Sequence, residues 1–156
     1  MKKVLFVSLG NICRSPMAEG IFKQKTREMG LEDIIESDSA GTAAYHIGEN
    51  PDPRTLDALK KHGISFNHTA RRAIKKDADR FDFILAMDSQ NYRELQSILP
   101  SDFKGLFKMR DFDQEGPGTD VPDPYYGADD GFENVFEILD RSIDEFITKE
   151  LLRSPS

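Results

Sequence analysis

The sequence has little cysteine, no long apolar run and no excess of positive charge. Its 156 residues include one cysteine, Cys13, which excludes an internal disulfide and a zinc site built on paired cysteines, and which fits a reducing compartment. No apolar run is long enough to span a membrane, and the run that follows the first two lysines stops at Gly10, too early for a signal peptide. We therefore expect a soluble, cytoplasmic protein without a membrane partner.

The charge balance argues against a nucleic-acid partner. The chain carries 21 Lys and Arg against 28 Asp and Glu, a net charge of -7, which disfavours general binding to nucleic acids or membrane surfaces. Any anion site in so acidic a chain must be local. Because 38% of the residues are hydrophobic, the chain suffices for one core, and we expect a single domain over residues 1–156.

Short apolar runs alternate with amphipathic stretches, which is typical of a parallel sheet covered by helices. Strands are predicted at residues 4–7, 34–37, 81–87 and 106–109, and helices at residues 16–29, 53–62, 89–99 and 132–151. We therefore expect an α/β fold, with a four-stranded parallel sheet and helices on both faces. The one long irregular stretch, residues 111–129, is expected to be a functional loop.

The stretch between the first predicted strand and the first predicted helix is typical of a phosphate-binding loop. Gly10 and Asn11 accept left-handed backbone angles, and Ser15 with Pro16 matches the N-cap and first position of a helix. Main-chain N–H groups can then converge at the positive end of the helix dipole, where Arg14 adds a charged donor. The loop is therefore predicted to bind phosphate or sulfate ions.

Two other kinds of phosphate loop do not match these residues. The loop of nucleotide hydrolases requires Gly-Lys and then Ser or Thr four residues after its first glycine, where this chain has Ser15 and Pro16. A dinucleotide-binding loop requires three closely spaced glycines, and only Gly10 precedes Gly20. The pattern that remains is a loop with one arginine six positions after Ser8.

This loop resembles the signature loop of the low-molecular-weight protein tyrosine phosphatases, in which a nucleophilic cysteine precedes the phosphate-binding arginine. In this chain Ser8 stands at the cysteine position and Arg14 at the arginine position. Further matches follow in order along nearly the whole chain, at residues 38–42, 61–64, 68–71, 87–88 and 123–127. The resemblance implies an enzyme that hydrolyses phosphotyrosine in proteins or peptides through a cysteinyl-phosphate intermediate, without a metal or another cofactor.

The resemblance also implies the roles of particular residues. The catalytic positions are Ser8 at the nucleophile position, Arg14 and Asp123. The phosphate-binding loop consists of Leu9, Gly10, Asn11, Ile12, Cys13, Arg14 and Ser15, and its supporting residues are Asn11, Ser15, Ser39 and His68. The walls of the substrate pocket are Tyr45, Tyr125 and Tyr126.

The resemblance implies that Asp123 protonates the leaving oxygen. Pro124 is compatible with this role, because it forces Asp123 into an extended conformation from which it can reach over the loop. From the residues alone, a simple turn starter is the favoured interpretation of this Asp-Pro pair, and the resemblance to the family reverses that preference. His68 fits a solvent-facing loop position as well as it fits a supporting role. His46 is expected to be an exposed surface residue, with tuning of peptide preference as the alternative.

Ser8 is the catalytic position at which the chain departs from the family. A serine hydroxyl has a pKa many units above that of a thiol, and no base is evident beside it, so Ser8 is expected to attack phosphorus negligibly. Cys13 cannot replace it, because the position that would require arginine is Glu19. We therefore expect a form that binds phosphate or substrate with little or no turnover.

Several explanations of this departure stay open. The favoured one is a cysteine-to-serine inactivation of an active enzyme, because every other catalytic position matches. A non-catalytic phosphotyrosine- or phosphate-binding pseudophosphatase and a serine-using variant are the alternatives. A protein arginine phosphatase is the alternative activity, although that class carries threonine where this chain has Ile12. Thioredoxin-linked arsenate reductases require further cysteines, which the chain lacks.

Overall fold

A parallel sheet of four strands forms the centre of the fold. Its strands are β1 (Lys2–Ser8), β2 (Ile35–Gly41), β3 (Phe83–Ala86) and β4 (Leu106–Lys108), in the spatial order β2-β1-β3-β4. The computed structural model describes residues 2–125, 127 and 130–152, without the side chain of Asp130. The α/β class and the four-stranded parallel sheet predicted from the sequence are confirmed.

Helices connect and cover these strands. In the described residues they are α1 (Arg14–Glu28), α2 (Pro53–Lys61), α3 (Asp77–Arg80), α4 (Ser89–Ile98) and α5 (Asp130–Phe146), with a 3₁₀ turn at Met109–Phe112 and a π-helical turn at Ile147–Leu151. The single turn of α3 was not predicted from the sequence. None of the helices in this part of the chain is both long enough and apolar enough to cross a membrane.

Helices on both faces of the sheet bury the apolar residues of β1. Val4 and Phe6 belong to the apolar cluster that contains side chains of α1 and α5, whereas Leu5 and Val7 belong to the cluster that contains Leu95 of α4. Residues 4–7 are therefore all buried, and the strand reads as a continuous apolar run instead of an alternating one. The prediction of helices on both faces is confirmed.

β2 is longer than predicted, and its extra residues reach the loop after β1. The strand was predicted to end at residue 37. In the structure β2 pairs with β1 along its full length, from Ile35 opposite Lys2 to Gly41 opposite Ser8. The extension places Ser39 and Gly41 beside the start of the loop.

The first helix begins earlier than the sequence predicts. α1 starts at Arg14 and its N-cap residue is Cys13, so the assignment of Ser15 as the N-cap is wrong. Cys13 makes no capping hydrogen bond with its side chain. The hydroxyl of Ser15 contacts Ser8 and Asn11 instead, inside the loop.

Candidate active site

The loop that follows β1 opens at the carboxyl edge of the sheet, where the strand order reverses. From β1 the chain crosses through α1 to β2 on one side, and from β2 it crosses to β3 on the other side of β1. Ligands of open α/β sheets bind at such a point. A cavity of about 80 Å³ lies there, lined by Ser8, Leu9, Gly10, Ile12, Cys13, Arg14, Tyr45, His46, Asp123 and Tyr125.

Two carbonyl groups of the loop are paired with N–H groups of other segments, whereas the N–H groups of the loop itself are available. The carbonyl of Leu9 accepts from the N–H of Ala43 at 3.0 Å, and the carbonyl of Ile12 accepts from the N–H of Asp52 at 2.8 Å. Within the described part of the chain, none of the main-chain N–H groups of residues 9–14 has a hydrogen-bond acceptor. Because unpaired N–H groups on largely buried residues are costly, this row of donors suits an anionic ligand.

Asn11 gives the loop its turn and anchors it to the rest of the chain. Its φ of 59° is the only positive φ of a non-glycine residue in the described chain. Its Nδ2 donates to Ser15 Oγ at 2.9 Å, and its Oδ1 accepts from the main-chain N–H of Arg71 at 3.1 Å and from His68 Nε2 at 2.8 Å. Asparagine tolerates the left-handed conformation, and these three bonds hold it there.

The same network continues behind the loop to a buried glutamate. Nε2 of His68 also lies 3.2 Å from Ser39 Oγ, which donates to Glu19 Oε1 at 2.8 Å. His68 is therefore part of the network that contains Ser39, and a solvent-facing position for it is wrong. Glu19 was not predicted to belong to this network. The only local feature of the sequence that involves it is the spacing of four residues to Lys23, with which it forms an ion pair at 3.2 Å.

Ser8 ends β1 at the cavity and has a hydroxyl partner instead of a base. Its Oγ lies 2.6 Å from Ser15 Oγ, and the residue is 3% exposed. No imidazole or carboxylate of the described residues hydrogen-bonds to this hydroxyl. Since Ser15 Oγ already accepts the Asn11 amide, its own proton is available to position 8. Ser15 can therefore stabilise negative charge there but cannot act as a base.

The guanidinium of Arg14 is buried and held on one side by the protein. Its NH1 donates to Asp88 Oδ2 at 2.8 Å and to the carbonyl of Val121 at 2.9 Å, while its NH2 lies 3.7 Å from Asp123 Oδ2. The edge formed by Nε and NH2 is therefore the one that can face an anion. Asp88 also caps α4 by accepting from the N–H of Asn91 at 2.7 Å. Asp88 was not predicted to be a site residue.

Asp123 and Tyr125 form the part of the cavity wall contributed by the long loop. Asp123 Oδ1 accepts from the main-chain N–H of Tyr125 at 3.0 Å, a local turn that keeps the carboxylate beside the cavity. Tyr45, also in the lining, is 74% exposed, so its ring is available at the cavity mouth. Tyr126, the third predicted wall residue, lies outside the described residues.

His46 lines the cavity, so the prediction of an exposed surface histidine is wrong. Its side chain is 25% exposed, and its Nδ1 lies 2.9 Å from Glu49 Oε2. A Cβ atom added at Gly10 would lie 2.8 Å from Cδ2 of His46, which shows that the ring rests directly on the loop. Glycine at this position therefore provides the space for the imidazole. The prediction of a left-handed conformation at Gly10 is wrong, because Asn11 alone has a positive φ in this loop.

Cys13 is buried and stays protonated at neutral pH. Burial, with smaller contributions from the charges of Asp52 and Asp123, raises the pKa of its thiol to about 12. The pKa of Asp52 lies below its ordinary value, because hydrogen bonds from Arg54 outweigh the opposing effect of burial. The Cys13 thiol is therefore a poor nucleophile, as expected of a packing residue.

This combination of fold and site defines an α/β protein with a row of unpaired N–H groups after its first strand, and with an arginine and an aspartate on the same cavity. The family model described as "Low molecular weight phosphotyrosine protein phosphatase" matches residues 3–155. The chain belongs to this family.

Individual relatives match over nearly their whole lengths. The low molecular weight phosphotyrosine protein phosphatase of Schizosaccharomyces pombe is 45% identical over 136 residues, which cover 86% of this chain and 87% of the relative. That of Gallus gallus is 41% identical over 151 residues, which cover 96% of each chain. A crystal structure of a protein tyrosine phosphatase from Entamoeba histolytica, with Hepes in its active site, superposes with a TM-score of 0.92 at 41% identity and covers 96% of each chain.

Proposed function

We propose that residues 1–156 form one protein tyrosine phosphatase domain whose cavity binds the phosphoryl group of a phosphotyrosine protein or peptide in the cytoplasm. The observation that carries this proposal is the set of unpaired N–H groups of residues 9–14 around a cavity that also contains Arg14. These donors would hold three phosphoryl oxygens, and Arg14 would add a bidentate contact from Nε and NH2. Tyr45, Tyr125 and Tyr126 would pack against the phenol ring.

Asp123 is the proposed general acid. Its carboxylate lies 3.7 Å from the guanidinium of Arg14 and shares the cavity with Ser8. In a form with cysteine at position 8, the thiolate would attack phosphorus as the bond to the phenolic oxygen breaks, and Asp123 would give its proton to that oxygen. Water would then attack phosphorus, giving one proton to the Asp123 carboxylate, as the bond between phosphorus and sulfur breaks and the thiolate and inorganic phosphate are released.

With Ser8 in place of cysteine, we propose that the chain binds such ligands with little or no turnover. The 2.6 Å contact with Ser15 supports this, because it supplies a donor to position 8 but no base. The neutral thiol of Cys13 does not compensate, since its pKa is raised to about 12. The favoured origin of Ser8 is the inactivation of an active parent enzyme.

The test compares hydrolysis of a small aryl phosphate by the chain and by its Ser8→Cys variant. We expect the variant to be faster by roughly a thousandfold or more, because a nucleophile is restored within an otherwise complete site. Asp123→Ala on the Ser8→Cys background should remove most of that gain, whereas Cys13→Ala on the same background should not. Equal turnover by the chain and its Ser8→Cys variant would refute the proposal.

The chain and its Ser8→Cys variant also distinguish two alternative functions. If Ser8→Cys binds phosphotyrosine peptides but does not hydrolyse them, the chain is a phosphate-dependent binding module. If it hydrolyses phosphoarginine peptides faster than phosphotyrosine peptides, it is a protein arginine phosphatase. Ile12, which lines the cavity with an apolar side chain, favours phosphotyrosine. Ile12→Thr is the variant that should shift the preference toward phosphoarginine.

A further inference from the structure

Three histidine–glutamate pairs occur in the described residues. His68 with Glu19, at 3.5 Å, lies behind the loop, and of the other two pairs one lines the proposed anion site. His46 pairs with Glu49 at 2.9 Å and lines the cavity, whereas His62 pairs with Glu133 at 2.6 Å between α2 and α5 and does not line it. The two pairs have the same chemistry but different positions. They therefore provide a test and its matched control within one chain.

The orientation of the His46 ring selects the nitrogen that can act on a ligand. A carboxylate can only accept a hydrogen bond, so Nδ1 of His46 carries a proton toward Glu49 Oε2. No described residue hydrogen-bonds to Nε2, the nitrogen on the other side of the ring. Nε2 is therefore the atom that gains or loses a proton, and once protonated it becomes a donor.

The charges around His46 come from three segments. Glu49 lies on its own loop, Arg14 lies at the start of α1, and Asp123 lies on the loop that also brings the Tyr125 ring to 6.1 Å from the imidazole. Arg54, stacked on Tyr125, is neutralised by Asp52 at 3.0 Å. A dianion in the cavity adds two negative charges to this group, so it favours the protonated form of His46.

We propose that His46 takes up a proton when a dianion binds, and that Nε2–H then donates to an oxygen of the ligand or to the leaving oxygen attached to it. This inference rests on the proposed function, since it assigns a second, pH-dependent cation to the same anion site. Arg14 supplies a constant charge from within the loop, and His46 supplies one that depends on pH. Ligand binding therefore strengthens as the pH falls through the range in which histidine titrates.

Sulfate is the appropriate probe, because it stays a dianion across this pH range. By isothermal titration calorimetry of the chain as it is, with Ser8, we expect sulfate to bind roughly tenfold more tightly at pH about 5.5 than at pH about 8.5. Titrations in buffers of different ionisation enthalpy should show uptake of up to about one proton at intermediate pH. His46→Gln should reduce the pH effect to less than about twofold and remove the proton uptake, while His62→Gln should retain both.

Two further variants separate the possible causes of failure. His46→Asn removes the imidazole with a second, shorter amide side chain and should reduce the pH effect on sulfate binding in the same way, even if His46→Gln folds poorly. Arg14→Ala should weaken sulfate binding at every pH. Absence of sulfate binding by the unmodified chain would overturn both the proposed function and this inference. Sulfate binding with a pH dependence that persists in His46→Gln would overturn this inference alone.

Discussion

Replacing Asn11 by alanine tests whether a single side chain holds the anion-binding loop in its shape. Asn11 has a φ of 59° and makes hydrogen bonds to Ser15, His68 and the main chain of Arg71. Alanine loses all three bonds and also places a Cβ-bearing residue without a polar side chain in the left-handed region. Glycine loses the same bonds but accepts the backbone conformation.

The expected magnitudes follow from these contacts. Three hydrogen bonds at about 1 kcal/mol each give a loss of about 3 kcal/mol, and the left-handed conformation adds about 1 kcal/mol for alanine. The free energy of unfolding should therefore fall by about 4 kcal/mol in Asn11→Ala and by about 3 kcal/mol in Asn11→Gly. For a domain of this size the alanine variant should melt roughly 8 to 16 °C lower.

Urea unfolding of the two variants and of the unmodified chain measures the cost of the lost hydrogen bonds and the added cost of the left-handed conformation for alanine. The rise of the melting temperature with added sulfate reports whether the loop still binds sulfate. We expect both variants to lose most of that rise. Asn67→Ala is the control, because Asn67 makes one local bond to the N–H of His68 at 3.0 Å and should cost less than about 1 kcal/mol. If Asn11→Ala and Asn11→Gly both lower the free energy of unfolding by no more than Asn67→Ala does, Asn11 does not hold the loop.

Two further predictions concern buried ionisable groups. Asp113→Asn should lower the free energy of unfolding by about 3 kcal/mol at neutral pH, because the buried carboxylate accepts hydrogen bonds from Arg110 and Arg141. Burial alone would raise the pKa of Asp113, but these bonds hold it below its ordinary value, so the stabilisation is present above about pH 4 and is lost as the pH falls through the folded-state pKa. Urea unfolding should show that the difference in free energy of unfolding between the unmodified chain and Asp113→Asn narrows only in that acidic range. A difference that stays constant with pH would contradict the stabilising role of the Asp113 carboxylate. Cys13, with its pKa raised to about 12, should be alkylated by iodoacetamide at neutral pH far more slowly in the native chain than in urea, as measured by mass spectrometry. Rapid labelling of the native chain would contradict this, because it requires an accessible, ionised thiol.

The parts of the fold that depend on neighbouring residues could be predicted from the sequence. The apolar run before Ser8, the left-handed residue types at Gly10 and Asn11, and the arginine at position 14 all lie within one short stretch. Their spacing alone predicted a strand, a turn and an anion-binding loop. The helix boundaries were harder to predict. A helix can begin after an N-cap residue such as Cys13, which makes no capping hydrogen bond with its side chain, when tertiary contacts hold the first turn.

The contacts that complete the site join residues far apart in the chain, and no local pattern encodes them. Asp88 holds Arg14 across a separation of 74 residues, and His68 holds Asn11 across 57. The sequence by itself determined which residues can bind an anion. Only the tertiary structure decided that Asp88 supports Arg14 and that His46 rests on Gly10 at the cavity, because the crossover connections of a parallel sheet bring distant loops to the carboxyl ends of its strands.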